Sequence, residues 1–116
     1  MGLLNLKKYF TDSITIYRKS ETKDAFGGKT ATWIKKYWNV KGRIYSGSGK
    51  PYEIAFQGAR YEVYCKLMVS HDTDIALGDK IVDEEDGENY IVVRLNEIEA
   101  GSRPHHIEAG ISRIDL

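Results

Sequence analysis

Hydrophobic and polar residues alternate with a period of two along most of this chain. Ile14 and Ile16 share one face of a segment whose other face carries Thr15 and Tyr17, as a pleated strand requires. Before it, Leu3, Leu6 and Phe10 recur at roughly helical spacing, and residues 1–11 read as an N-terminal leader, either frayed or docked. After it, a charged loop from Lys19 to Asp24 is closed by Gly27-Gly28, a pair that can take the positive φ of a tight return. Thr30, Thr32 and Trp33 resume strand-favouring chemistry. Then Trp38, Val40, Gly42 and Ile44 alternate as an inward face against Tyr37, Asn39, Lys41, Arg43 and Tyr45 facing outward.

Ser46-Gly47-Ser48-Gly49-Lys50-Pro51 interrupts the pattern, because so much Gly, Ser and Pro cannot sustain a ladder. Tyr52-Glu53-Ile54-Ala55-Phe56-Gln57 is too short to assign, so residues 46–58 are expected to form one long loop. Tyr61 to Ser70 is the clearest strand, with Tyr61, Val63, Cys65, Leu67 and Val69 on its buried side. Lys80–Asp83 and Tyr90–Leu95 flank an Asp86-Gly87 turn and read as a hairpin. The second arm is apolar on both faces and so central in a sheet. A polar connection leads to a last strand, His106–Ile114, whose pairing with an early strand would close a barrel. The expected fold is a single all-β domain over 1–116. It is a small antiparallel β-barrel or sandwich of six to seven strands, with a long loop and little helix.

Charge and composition narrow the function. Lys plus Arg and Asp plus Glu are 17 each, so bulk electrostatics do not drive the chain onto nucleic acid or an anionic membrane. A lone cysteine, Cys65, excludes an intrachain disulfide and fits a reducing compartment. No apolar run approaches the roughly 20 residues of a membrane span, and the N-terminus lacks the pattern of a signal peptide. The expectation is a soluble protein made inside the cell, with no membrane association.

Chemistry-bearing residues do not assemble into a catalytic or cofactor motif. Gly28-Lys29-Thr30 lacks the upstream glycine of a phosphate loop, since Lys23 stands there, and a strand rather than a helix follows. His71, Asp72 and Asp74 are explained by a turn capped with Asp side chains. His105 and His106 are adjacent, so as strand neighbours they are expected on opposite faces and cannot share an ion. Asp83 to Glu88 resembles a calcium loop only in acidity: counted from Asp83, the glycine comes fifth and the twelfth residue is Arg94. Hence no catalytic residue, cofactor or metal is expected. Tyr37, Lys41, Arg43, Tyr45 and Tyr64 are candidate subunit-interface residues. They fit an interface better than a base-stacking platform, because net positive charge is missing.

The Ile14-Thr15-Ile16 strand, Asp24-Ala25-Phe26-Gly27-Gly28, Thr32-Trp33 and a strand ending Arg43-Ile44 resemble the opening of phage head–tail joining proteins. These are the head-completion or stopper subunits of long-tailed phages and prophages. The likeness continues through the Ser-Gly break, the Tyr61–Ser70 strand, Ile75-Ala76-Leu77-Gly78-Asp79-Lys80-Ile81 and Tyr90-Ile91-Val92-Val93, covering about residues 12–114. One departure is an Arg expected shortly before Ile75, where Lys66 is the nearest basic residue in the strand. The resemblance implies a structural virion protein at the head–tail interface, present in the host cytoplasm during assembly. It would form a homo-oligomeric ring with the portal–adaptor complex and tail proteins, around packaged double-stranded DNA held without sequence specificity. Such rings close the DNA channel by a loop, here Ser46, Gly47, Ser48, Gly49, Lys50, Pro51, Tyr52 and Glu53. A tail terminator or other tail-side ring subunit, and a small nucleic-acid-binding barrel, are the alternatives.

Overall fold

The computed structural model describes residues 10–23, 25–46 and 51–114. Among them there is no helix. The strands are β1 (Asp12–Lys23), β2 (Lys29–Ser46), β3 (Tyr52–Phe56), β4 (Ala59–Val63), β5 (Cys65–Ser70), β6 (Lys80–Asp83), β7 (Asn89–Ala100) and β8 (Arg103–Ile114). Six close into an antiparallel barrel in the order β1-β2-β5-β8-β7-β6, and β3-β4 form a separate two-stranded sheet. The fold class is the one the alternation predicts. Closure differs in detail: β1 pairs with β6, while the last strand lies between β5 and β7.

The barrel interior is a layer of aliphatic side chains: Ile14, Ile16, Leu67, Val69, Ile81, Val92, Ala109 and Ile111 have no measurable exposure. Val40, Ile44, Cys65 and Leu95 pack at its margin, so Cys65 is half-buried and behaves as a small hydrophobe. Gly42 is required where β2 passes β5. A Cβ there would stand 2.8 Å from the Met68 carbonyl oxygen, closer than any side chain tolerates.

The expected single strand from Tyr61 to Ser70 is two strands broken at Tyr64. Val63 therefore belongs to a second cluster, with Ile91 and Val93, rather than to the barrel interior with Leu67. The expected loop over 46–58 is also overturned. Tyr52–Phe56 and Ala59–Val63 form a hairpin, turning at Gln57-Gly58. Its alternating Ile54, Phe56 and Tyr61 cover Ile91 and Val93 on the outside of the barrel. This explains why β7 is apolar on both faces: Tyr90 and Val92 face the interior, and Ile91 and Val93 face the hairpin. Of the residues joining β2 to β3, Gly47, Ser48, Gly49 and Lys50 lie outside the described residues, as does the leader up to Tyr9. Phe10 at the leader's end is buried.

The β1–β2 hairpin outruns the barrel. β6 pairs only with Ile14 to Tyr17, and β5 only with Gly42 to Ser46, so from Arg18 to Lys23 and from Lys29 to Ile34 the two strands pair only with each other. This arm helps to give the molecule its extents of 59 × 31 × 29 Å. Where the arm leaves the barrel β2 carries extra residues. Ile14 opposes Val40, Ile16 opposes Tyr37 and Tyr17 opposes Lys35, which is the signature of β-bulges. Asn39 sits in the left-handed region at φ 58°. Its N–H leaves the ladder and donates to Glu84 Oε1 at 2.8 Å, an oxygen that also accepts from the Thr15 hydroxyl at 2.7 Å. The bulge breaks the expected alternation, so Trp38 is two-thirds exposed instead of joining the inward row with Val40.

Candidate functional site

The chemistry-bearing residues gather at the base of the arm. Arg18 continues the face of β1 that carries Ile14 and Ile16, but it lies one step beyond the last residue paired to β6. There its guanidinium caps the end of the barrel. Nε donates to Asp79 Oδ1 at 3.0 Å and Nη2 to Asp79 Oδ2 at 2.9 Å, a bidentate fork. The same guanidinium reaches Asp74 at 3.1 and 3.3 Å, and the Tyr37 hydroxyl donates to Asp74 Oδ2 at 2.7 Å.

Asp79 is almost fully buried and makes three further links, with a fourth from Gly78 beside it. Its Oδ2 accepts from Ala76 N–H, its own N–H donates to the Ala76 carbonyl, its carbonyl accepts from Val92 N–H, and Gly78 N–H beside it donates to the Val92 carbonyl. Gly78 makes this turn at φ 88°, where a side chain would be strained. The Ile75-x-x-Gly78-Asp79 sequence is thus a structural clasp: Ile75 enters the core, Gly78 turns and Asp79 ties three segments together. Arg18, 61 positions away in sequence, is the basic partner of Asp79 in this chain.

The electrostatics follow from this geometry. Hydrogen bonds to Asp79 and then Asp74 hold the Arg18 guanidinium firmly protonated, above its ordinary range. Arg18, then Tyr37, keeps the Asp74 carboxyl below the usual carboxylate range, while the bond to Asp74 pushes the Tyr37 phenol up. Glu84 is lowered by the Asn39 N–H and the Thr15 hydroxyl, whereas burial raises Asp83.

On the outward face of the same region, cations and rings are interleaved. Lys80 Nζ lies 4.5 Å from the Tyr17 ring centre and 5.5 Å from that of Trp33, and Lys19 Nζ lies 6.0 Å from Trp33. Between this row and the β3–β4 hairpin runs a cleft of about 510 Å³, lined by Trp33, Tyr61, Leu77, Ile91 and Ile114 with Arg18 and Lys19 at its edge.

The expected interface residues do not form one patch. Tyr37 belongs to the Arg18–Asp74 cluster. Lys41 donates to the Ser13 hydroxyl at 2.7 Å. Arg43 and Tyr45 are two residues apart on β2, opposite Met68 and Lys66 of β5, and form a separate outer face. Burial and then Glu108 raise the half-buried Tyr45 phenol. Tyr64 stands exposed at the break between β4 and β5. Of the expected loop, Ser46 ends β2 and Pro51 is exposed. Tyr52 and Glu53 lie in β3, with the Arg94 guanidinium 5.9 Å from the Tyr52 ring and Glu53 paired to Arg60 across the hairpin.

The two histidines also depart from expectation. His105 Nδ1 and His106 Nδ1 approach to 2.6 Å, and His106 Nε2 lies 3.2 Å from Glu108. The β7–β8 register shifts between Ile98 and Glu99, which leaves His105 as an extra residue and turns both rings to the same side. The contact to Glu108 is on the far nitrogen, so these groups do not converge on one point. Among the described residues no three side chains are placed to hold a metal.

Comparison with known proteins places the whole assembly of elements. No curated protein matches the chain significantly. Among solved structures it is similar to the phage-like element PBSX protein xkdH from Bacillus subtilis. That likeness has a TM-score of 0.54 at 17% identity, covers 88% of this chain and 92% of that one, and shows a shared fold. The family of phage head completion proteins matches residues 8–110, from the end of the leader through most of β8. The chain belongs to the phage head completion protein family.

Proposed function

We propose that this protein forms a ring in the phage head–tail connector, closes the DNA channel after packaging and presents the surface on which the tail docks. Family membership makes it a structural component of the virion that assembles with other head and tail proteins. The observation that carries the reading is the family match over 8–110, which spans barrel, hairpin and arm together. The physical character of the surface supports it. The six barrel strands close on one another, so contacts are left to side-chain faces and to strand edges outside the closure, those of the arm and of the β3–β4 sheet. Exposed Trp38, Tyr64 and Ile34 are the kinds of residue that interfaces bury. In this reading the chain is made in the host cytoplasm and enters the particle after packaging, and the segment from Ser46 to Glu53 contributes to the channel.

A phage deleted for the gene tests this directly. Heads lacking the protein are expected to package DNA, leak it and fail to join tails, and adding the purified protein should restore infectivity. Imaging of the restored connector should show a ring of this chain between the portal–adaptor complex and the tail. Restored particles in which the chain is present without a ring would overturn the proposal.

A further inference from the structure

We infer that the β1–β2 arm is the docking element through which one copy of this chain engages the next, seated against the acidic β6–β7 turn of its neighbour. This rests on the ring reading and names the surfaces that would build it. The arm has the open strand edges of the barrel's β1 and β2, since beyond Arg18 and before Tyr37 neither strand has a partner other than its sister. Ile34 and Trp38 are about half and two-thirds exposed on it, and Phe26 at its tip is almost wholly exposed.

Charge complementarity selects the occupant. From Lys19 to Lys36 the sequence carries Lys19, Lys23, Lys29, Lys35 and Lys36 against only Glu21 and Asp24. The turn from Asp83 to Glu88 carries five carboxylates and no base. Glu84 is engaged by Asn39 and Thr15, and Glu88 by Arg113, but the Glu85 and Asp86 side chains are exposed. A chain of zero net charge thus segregates a basic arm from an acidic turn. At its base the arm meets the turn within one molecule, where the Asn39 N–H binds Glu84 and Lys35 helps to lower that carboxyl. The arm's tip does not: Asp83 pairs with Ile14, and about 30 Å of extended strand separates Ile14 from Lys23. A stiff two-stranded ribbon does not fold back over that distance. Between copies the contact is head-to-tail, the kind that repeats into rings when its rotation closes.

The test uses charge reversal and a zero-length carbodiimide cross-linker, which joins a lysine only to a carboxylate in contact with it. Equal amounts of unlabelled and nitrogen-15-labelled chain are treated from micromolar to millimolar concentration, with sedimentation run in parallel. Mixed-isotope cross-links from Lys23 or Lys36 to Glu85 or Asp86 are expected. The pair Lys23→Glu with Lys36→Glu, or the pair Glu85→Lys with Asp86→Lys, should each weaken self-association at least tenfold. Mixing the two variants should restore it, and a chain carrying both reversals should associate with itself but not with wild type.

Oligomers whose cross-links lie elsewhere would sink the arm contact and leave the ring reading standing. A chain that stays monomeric at millimolar concentration would overturn the arm-to-turn contact as a self-association site, while the ring reading is decided separately by the imaged connector. Salt-dependent binding of duplex DNA that the arm reversal abolishes, with no arm-to-turn cross-links, would assign the arm to nucleic acid instead.

Discussion

Arg18 shows how much of one residue's role depends on its partners. Its fork to buried Asp79 replaces the water that the carboxylate lost on folding, and removing one member of such a pair costs more than the pair is worth. Arg18→Ala is therefore expected to lower stability by about 3–5 kcal/mol in urea melts, with part recovered in the Arg18→Ala, Asp79→Ala double variant. Asp74 lies half in solvent, so Asp74→Asn should cost about 1 kcal/mol or less. The sign of its pH dependence follows from a lowered folded pKa. The stabilisation is complete above the ordinary carboxylate value and disappears as pH falls through the lowered one. Wild type and Asp74→Asn should accordingly differ at pH 5–7, with the difference starting to shrink at about pH 4 and lost only below the lowered folded value. A difference that grows in acid would show that Asp74 stabilises by another route. Little of this cluster was legible beforehand. Asp74 read as a turn residue and Asp79 as part of a motif, but Arg18, just ahead of the expected Lys19–Asp24 loop, drew no reading at all. Only the pairing of β1 with β6 brings it to the barrel's end.

At the scale of elements, the interior strands were readable because each buries one face and leaves the other wet, as Ile14-Thr15-Ile16 does. The β3–β4 hairpin was not. Ile54 and Phe56 alternate with Glu53 and Ala55 in the right period, but only over five residues next to a Gly- and Ser-rich break. Its partners, Ile91 and Val93, are on β7, and the clue was that β7 is apolar on both faces. Bulges defeated the reading elsewhere, because each inserted residue exchanges the two faces of a strand. Trp38 and His105 were misplaced for that reason. Since the hairpin is held to the barrel mainly through Val63, Ile54 and Phe56, truncating Val63 should loosen it selectively. Val63→Ala is expected to cost about 1–3 kcal/mol. In native-state hydrogen exchange, the amides of β3 and β4 should lose protection well before those of β5 and β8. Uniform loss across the barrel would mean that hairpin and barrel unfold as one unit.

The whole molecule divides by energetic role. Every member of the two apolar clusters comes from the barrel strands, the β5–β6 connection or the β3–β4 hairpin, and none comes from the arm beyond Tyr17 on β1 or before Val40 on β2. Lys19–Asp24 was expected as a loop, yet β1 runs on to Lys23. Of the arm's two strands only β2, the β-favouring run after Gly27-Gly28, was visible in sequence. Their overshoot was not, because it depends on β6 being only four residues long. An element that buries so little stabilises the barrel weakly, and closing a shorter connection costs the unfolded chain slightly less entropy. Replacing Ser20–Thr32 by Asn-Gly keeps Arg18 with its aspartates and keeps Lys19 opposite Trp33. The new two-residue turn then closes where those strands already pair, with residues that adopt the positive φ such a turn needs. The shortened protein is expected to fold, with its thermal midpoint within a few degrees of wild type. It should retain the barrel's exchange protection and lose self-association. A shortened chain that cannot fold would show that the arm stabilises the barrel. One that folds and still self-associates like wild type would place the contact between copies elsewhere on the barrel, with the outer face around Arg43 and Tyr45 the next to test.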